Sequence, residues 1–206
     1  MTKVLFASSA AVLAIAAASL SPPARADDCL LDSNNNGVAD ATTDTDGGAN
    51  SNNVDARLAC GVNAQATGAF STAVGGSASA TGSQGVAVGN VATASGANSI
   101  AIGTLSDATA TGAVALGTSA QATETNATAL GNSADATAVE SVAVGGNAQA
   151  SQAGGVAIGD GATANGPSTT GTTFASVAIG HDASGNDNAV AIGNSAFASF
   201  GGSHTP

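Results

Sequence analysis

The chain has 206 residues, of which 8% are charged and 2% are aromatic, and it contains neither Trp nor Tyr. With so few large side chains it cannot fill a wide hydrophobic core, so the composition excludes an ordinary globular domain and favours a thin, repetitive structure. The formal net charge of −11 argues against binding to nucleic acid or to anionic membrane surfaces.

Residues 1–26 are typical of a secretory signal peptide. Lys3 supplies the basic start, residues 4–20 form an apolar run, and Ala24-Arg25-Ala26 fits the small-x-small cleavage rule. No later stretch is apolar for long enough to cross a bilayer, so we expect an exported protein without direct membrane insertion. After cleavage, Arg57 alone opposes the 14 acidic residues, which leaves a net charge of −13.

The acidic segment 27–60 contains seven of the 14 acidic residues and both cysteines. Two cysteines in an exported protein usually pair. A Cys29–Cys60 disulfide would close a loop of about 30 residues and stabilise the fold by about 3–4 kcal/mol. An intermolecular disulfide within an oligomer is the alternative.

Within that loop, a stretch that begins at Asp32 resembles the first nine positions of an EF-hand calcium loop. Oxygen-bearing side chains alternate there, and Gly37 stands at the sixth position, where the turn is sharp. The twelfth position is Thr43 instead of a bidentate Glu, a role that Asp44 could take. The alternative is a solvated Asn/Asp/Gly linker that binds no ion. The candidate calcium ligands are Asp32, Asn34, Asn36, Asp40 and Asp44. No other cofactor is expected.

From residue 61 to residue 199 the sequence repeats with a period of 14, and residues 200–206 form a short tail. An apolar-Ala-apolar-Gly motif recurs nine times, with Thr72 and Thr128 in the first position of two copies. Its glycines are spaced by 14 from Gly75 to Gly159, and Gly180 and Gly193 follow at spacings of 21 and 13. Three and five residues after most of these glycines Ala recurs, as in Ala78 and Ala80, with Ser, Thr, Asp and Gln in the positions between and after.

Each repeat contains two short runs in which one residue type alternates with another at every second position. This pattern predicts two short strands joined by turns. We therefore predict an all-β fold, a single-stranded parallel β-roll or solenoid of 14-residue coils that stack about 4.8 Å apart. The columns of Val and Ile are expected to fill the interior of the roll. So thin a coil buries little apolar surface, so we expect the Ala columns to pack against sister chains.

Two segments illustrate a family resemblance: Asn98-Ser99-Ile100-Ala101-Ile102-Gly103 and Ser176-Val177-Ala178-Ile179-Gly180. They resemble the head repeat of YadA-like trimeric autotransporter adhesins, over residues 61–199. The resemblance implies a left-handed roll, a homotrimer at the cell surface or outer membrane or in secreted form, and an extracellular-matrix protein or a surface glycan as ligand. Members of that family continue into a coiled-coil stalk and a membrane anchor. No heptads follow the repeats here, so we expect either a truncated product or a free-standing secreted head that lacks the stalk and anchor.

One segment interrupts the period, and its removal restores a spacing of 14 between Gly159 and Gly180. We expect this insertion to bulge from one edge of the roll without disturbing the stack. It is either a ligand-binding loop on a rigid scaffold or a tolerated insertion. Its residues are Asn165, Gly166, Pro167, Ser168, Thr169, Thr170 and Gly171.

We predict adhesion, not catalysis. His181 and His204 are the only histidines, no Ser or Cys stands in a recognisable nucleophile setting, and His181 is expected in a solvated turn. One alternative is a structural surface fibre that assembles end to end unless the Cys segment and Phe197 with Phe200 cap the stack. A second is an ice-binding solenoid, although that needs two parallel ranks of Thr and one rank here carries Asp and Gln.

Overall fold

The computed structural model describes Cys29 and residues 47–52, 54, 56–166, 175–186 and 188–199. All regular structure in these residues is β-strand. The strands are β1 Leu58–Cys60, β2 Gln65–Ala66, β3 Thr72–Val74, β4 Ser79–Ala80, β5 Val86–Val88, β6 Thr93–Ala94, β7 Ile100–Ile102, β8 Asp107–Ala108, β9 Val114–Leu116, β10 Gln121–Ala122, β11 Thr128–Leu130, β12 Asp135–Ala136, β13 Val142–Val144, β14 Gln149–Ala150, β15 Val156–Ile158, β16 Thr163–Ala164, β17 Val177–Ile179, β18 Ser184–Asn186, β19 Val190–Ile192 and β20 Phe197–Ser199.

The strands form two parallel ten-stranded sheets in chain order. The odd-numbered strands make the first sheet and the even-numbered strands the second. Equivalent residues of successive coils are partners, so Ala87 lies beside Ala101 and Ala101 beside Ala115. The chain is therefore a parallel β-solenoid of ten coils, which confirms the predicted fold class and the spacing of 14 residues.

The stack begins one coil before the first glycine of the predicted series. Strand β1 precedes Gly61 and pairs in register with β3, Ala59 beside Ala73 and Cys60 beside Val74. Leu58-Ala59-Cys60-Gly61 is thus a tenth copy of the motif, in which Cys stands where the other copies have Val, Ile or Leu.

Alanine lines the interior of the roll, so the predicted facing of the columns is wrong. The central Ala101 of β7 is fully buried, as are Ala92 and Ala94 of the second sheet, whereas Ile100 and Ile102 are each 36% exposed. The strands of one coil face each other across a space closed by tight turns. A methyl group fills that space, and a branched side chain would overpack it. Size, not hydrophobicity, selects the inward residue.

Each described turn places one residue in the left-handed region, as at Asn98 with φ 57° and Ser119 with φ 55°. Asn, Ser and Gly predominate because they reach this region at least cost. The glycine after each strand of the first sheet meets a further constraint. At Gly89, whose φ is 137°, an added Cβ would collide with the backbone carbonyl of Gly103 in the next coil. Glycine is therefore required at this position.

Each coil has a first turn after its odd-numbered strand and a second turn after its even-numbered strand. The last residue of the second turn is a buried Ser in some coils and Ala or Gly in the others. The Ser99 hydroxyl donates to the Gly96 carbonyl at 2.7 Å, and the Ser141 hydroxyl donates to the Ala138 carbonyl at 2.7 Å. Serine therefore fits a space of methyl size without leaving a buried polar atom unpaired.

Residues outside the repeats cover the N-terminal end of the stack. The Cys29 N–H donates to the Ala59 carbonyl at 3.0 Å, which covers the edge of the first sheet. Asn50 forms a parallel bridge with Gln65 at the edge of the second sheet. The Cys29–Cys60 disulfide is present, with Cα atoms 4.7 Å apart, as predicted.

The outward apolar side chains of the last coil are the most exposed ones on the described strands. Val190, Ile192 and Phe197 are 60%, 68% and 71% exposed. Phe197 stands in the outward column of the second sheet beside Ser184, and Phe200 lies outside the described residues, so the cap at this end stays a prediction.

Candidate functional site

Two outward columns on the first sheet form a surface that we call the apolar face. At about 4.8 Å per coil it extends for about 43 Å. A continuous apolar surface of this length, bordered by polar turns, is typical of an interface. One column is Leu58, Thr72, Val86, Ile100, Val114, Thr128, Val142, Val156, Val177 and Val190, and the other is Cys60, Val74, Val88, Ile102, Leu116, Leu130, Val144, Ile158, Ile179 and Ile192.

The outward side chains of the second sheet form the polar face. Hydrogen bonds connect its coils: the Thr109 hydroxyl donates to the Thr123 carbonyl at 3.4 Å, and the Ser151 hydroxyl donates to Asn165 Oδ1 at 2.6 Å. Donors and acceptors therefore repeat along the stack at the coil spacing. One column is Gln65, Ser79, Thr93, Asp107, Gln121, Asp135, Gln149, Thr163, Ser184 and, in the last coil, Phe197, and the other is Thr67, Thr81, Ser95, Thr109, Thr123, Thr137, Ser151, Asn165, Asn186 and Ser199.

Two carboxylates interrupt the neutral residues of the polar face. Asp107 and Asp135 stand on either side of Gln121 in one column, about 9.6 Å apart. Partial burial raises the pKa of both carboxyl groups, and the Oδ1 atom of each has no hydrogen-bond partner. Among the described residues the only Lys or Arg is Arg57, beside the first coil. Among the described residues, these two carboxylates therefore lack a cationic neighbour.

The candidate calcium ligands Asp32, Asn34, Asn36, Asp40 and Asp44 lie outside the described residues. Among the residues that the structure does describe, no group of three or more His, Cys, Asp or Glu side chains is placed to hold a metal ion. The calcium loop stays a prediction.

The two sheets continue in register across the insertion, as expected. Val156 on one side pairs in register with Val177 on the other. The predicted start of the insertion is wrong by one residue: the Asn165 N–H donates to the Gly185 carbonyl at 3.1 Å, so Asn165 belongs to the polar face, and Gly166 is half-buried after it. The rest of the insertion, Pro167, Ser168, Thr169, Thr170 and Gly171, lies outside the described residues.

Gln152 is a buried polar residue beside the insertion. It is 8% exposed, and its Oε1 accepts a hydrogen bond from the Ser176 N–H at 3.0 Å. This bond ties the end of the seventh coil to the residue where the chain returns from the insertion. The Ser176 hydroxyl is buried without a hydrogen-bond partner, unlike the hydroxyls of Ser99 and Ser141, which donate to a carbonyl three residues earlier.

His181 lies in a turn, as expected. Its Nδ1 is 3.1 Å from Asp182 Oδ2 and its Nε2 is 3.7 Å from Asp160 Oδ2, and all three side chains are more than half exposed. Solvent weakens such pairs, so this group has the character of a solvated turn.

Two turn residues that the sequence reasoning passed over are large, apolar and exposed. Val62 is 53% exposed in the first turn of the first coil, and Phe70 is 66% exposed in its second turn. The signal that could have found them is an apolar side chain at turn positions where other coils carry Asn, Ser, Thr or Gly.

The predicted signal peptide, residues 1–26, lies outside the described residues. Over the part of the chain that is described, no helix has the length and hydropathy of a membrane span.

The chain is similar to known proteins over most of the stack. The sequence model of the YadA head domain repeat matches residues 58–78, 80–106, 108–134 and 136–162. Among solved structures, the chain is similar to the crystal structure of the collagen-binding domain of the Yersinia adhesin YadA, with 32% sequence identity and a TM-score of 0.54. That similarity covers 68% of this chain and 73% of the other. No curated protein matches the chain in sequence.

Proposed function

The chain belongs to the YadA head-repeat family, and from that membership we propose that its roll is an adhesin head that binds an extracellular-matrix protein or a surface glycan. The observation that carries the proposal is the shared architecture. Ten parallel coils present a long polar surface at a regular spacing, and a relative with 32% identity is a collagen-binding domain.

The apolar face supports assembly into a homotrimer. A lone chain would leave about 43 Å of Val, Ile and Leu columns in water. Three copies around one axis, with their apolar faces inward, would bury these columns together. No residue of the apolar face is charged, so chains with a strong net negative charge can approach each other there.

The polar face remains outward in such a trimer and is the proposed ligand surface. A ligand that lies along the stack would meet hydroxyl and amide groups at each coil, and basic side chains of the ligand would pair with Asp107 and Asp135. Collagen is the first ligand to test, because the relative of solved structure binds it. The insertion at residues 165–171 would be a second contact at the edge of this face.

Surface plasmon resonance on immobilised triple-helical collagen, heat-denatured collagen and a glycan array tests the proposal. The variant Gln121→Arg places a cation between the two carboxylates and should weaken binding at least tenfold without lowering the melting temperature. The matched control Gln84→Arg adds the same charge on a turn, where binding should persist. A trimeric protein that binds no matrix protein and no glycan would refute the adhesive function.

Export to the cell surface, the outer membrane or the medium is proposed from two features. Residues 1–26 have the pattern of a signal peptide, and the Cys29–Cys60 disulfide belongs to an oxidising compartment. Mass spectrometry of the exported protein should find Asp27 as its first residue. A first residue of Met1 in the exported protein would contradict the signal peptide.

Calcium binding by Asp32, Asn34, Asn36, Asp40 and Asp44 is proposed from their alternate spacing. Calorimetry should show one Ca²⁺ per chain, and Asp32→Ala should abolish it. If neither heat nor a change in melting temperature follows the addition of Ca²⁺, the segment is a linker.

The two alternatives are not favoured. An end-to-end fibre needs a free edge at both ends, and Cys29 and Asn50 already pair with the N-terminal edges. An ice-binding surface needs two ranks of Thr, and one rank of the polar face contains Asp107, Gln121 and Asp135.

A further inference from the structure

The first coil carries a large exposed apolar side chain at each of its two edges. Val62 is 53% exposed at the edge formed by the first turns, and Phe70 is 66% exposed at the edge formed by the second turns. Other exposed apolar turn residues, Val91, Leu105 and Val139, each stand at only one edge of their coil. Among the described coils, only the first has both edges apolar.

Phe70 is unfavourable in a lone chain for a second reason. Its φ is 57°, in the left-handed region, where a bulky residue is strained. The corresponding residues of the next two coils, Gln84 and Asn98, adopt the same conformation with polar side chains. Strain and exposure together favour a compensating contact that a lone chain does not supply. Val91 and Leu105 share both features, but only Phe70 has an exposed apolar residue at the opposite edge of its own coil.

We propose that Val62 of one copy packs against Phe70 of the next copy in the trimer, an inference that rests on the proposed trimeric head. In a cyclic assembly of parallel chains, every coil lies at the same height in all copies. The first-turn edge of one chain then faces the second-turn edge of its neighbour. Three Val62–Phe70 contacts would close a ring at the N-terminal end.

This contact would fix the axial register of the trimer. The apolar face repeats every coil, so chains that slip by one coil would keep most of their contacts there. A contact that exists only in the first coil is lost on slipping. The coils nearest this contact add no charge repulsion of their own, because residues 58–106 contain no Asp, Glu, Lys or Arg.

Disulfide cross-linking tests the contact directly. Positions 62 and 70 of one chain are separated by about 15 Å of extended strand, beyond the Cα distance of about 7 Å that a disulfide spans. Oxidation of the Val62→Cys/Phe70→Cys variant should therefore link neighbouring copies into covalent trimers. The control Val62→Cys/Asn98→Cys, with the second cysteine two coils away on the same edge, should cross-link at least tenfold less. Equal cross-linking in the two variants, or none in either while the protein is trimeric, would overturn the contact.

A second pair of variants separates association from folding. Phe70→Asn places a residue suited to the left-handed region and should raise the concentration for trimer formation at least tenfold without lowering the melting temperature of the dissociated chain. Gln84→Asn, the same change one coil on, should alter neither. A lower melting temperature of the dissociated Phe70→Asn chain with unchanged association would mean that Phe70 packs within its own chain, which refutes the contact. Sedimentation of the parent protein as a monomer would instead refute the trimer itself.

Discussion

The two sheets of the roll are alike on their inner sides and different on their outer sides. Inside, both present Ala, as at Ala101 of β7 and Ala108 of β8, which are fully buried. Outside, the first sheet presents Ile100 and Ile102, and the second presents Asp107 with Thr109 beside it. Coil geometry permits only methyl-sized groups inside. The outer positions are free of that constraint and can take the residues that an interface or a ligand requires.

The largest effect is expected from a change on the shared inner side. Ala101→Asp buries a carboxylate in a methyl-sized space with no cation in the repeats to neutralise it, and should destabilise the chain by more than about 3 kcal/mol. Circular dichroism should show loss of strand signal at lower temperature. A melting curve like that of the parent would mean that the inner side tolerates charge.

A charge on the apolar face should separate association from folding. Ile102→Asp places a carboxylate on a residue that is 36% exposed, where water can solvate it in a lone chain. We expect trimers to be lost in light scattering while the strand signal of the chain persists. If Ile102→Asp unfolds the dissociated chain as completely as Ala101→Asp does, the two sides are not as distinct as proposed.

A smaller effect is expected at the carboxylates of the polar face. Burial raises the pKa of Asp107 and Asp135 above the 3.8 of an ordinary Asp, so the folded chain holds these protons to higher pH than the unfolded chain. Their contribution to stability therefore falls as pH rises between the unfolded and folded pKa values and is constant above them. Asp107→Asn should raise the melting temperature at pH 7. It should also reduce the contribution that protonation of Asp107 makes to the melting temperature of the parent near pH 4. Glu124→Gln, on an exposed turn, is the control, and an equal gain there would contradict the role of burial.

The smallest effect is expected at an exposed hydroxyl of the polar face. Thr109→Asp removes a long hydrogen bond of 3.4 Å to the Thr123 carbonyl and leaves the new carboxylate in water. Stability should change by no more than about 0.5 kcal/mol, as measured by thermal melting. Unfolding by this change would show that the polar face is part of the core.

The fold could be predicted from the sequence, but the facing of its residues could not. The constant spacing of 14 residues between Gly75, Gly89 and Gly103 predicted stacked coils. The pairing of Cys29 with Cys60 was predicted because an exported protein with two cysteines usually pairs them. The greater hydrophobicity of Ile102 led to the prediction that Ile102 faces the interior and Ala101 the outside, which is wrong. Alternation along a strand shows that neighbouring residues face opposite sides, but it does not show which side is the interior. The polar face, the proposed ligand surface, was visible as two ranks but could not be distinguished from a solvated surface.

The sequence by itself determined the period, the strand positions and the identity of each column. These depend on local chemistry: alternation makes strands, and glycine permits the positive φ of 137° at Gly89. Only the tertiary structure decided which column is inside, that Leu58–Cys60 is a tenth strand of the first sheet, and that Val62 and Phe70 stand on opposite edges of one coil. These depend on how closely the two sheets approach and on which coil lies above which, and such distances between residues far apart in the chain are set only when the coils stack.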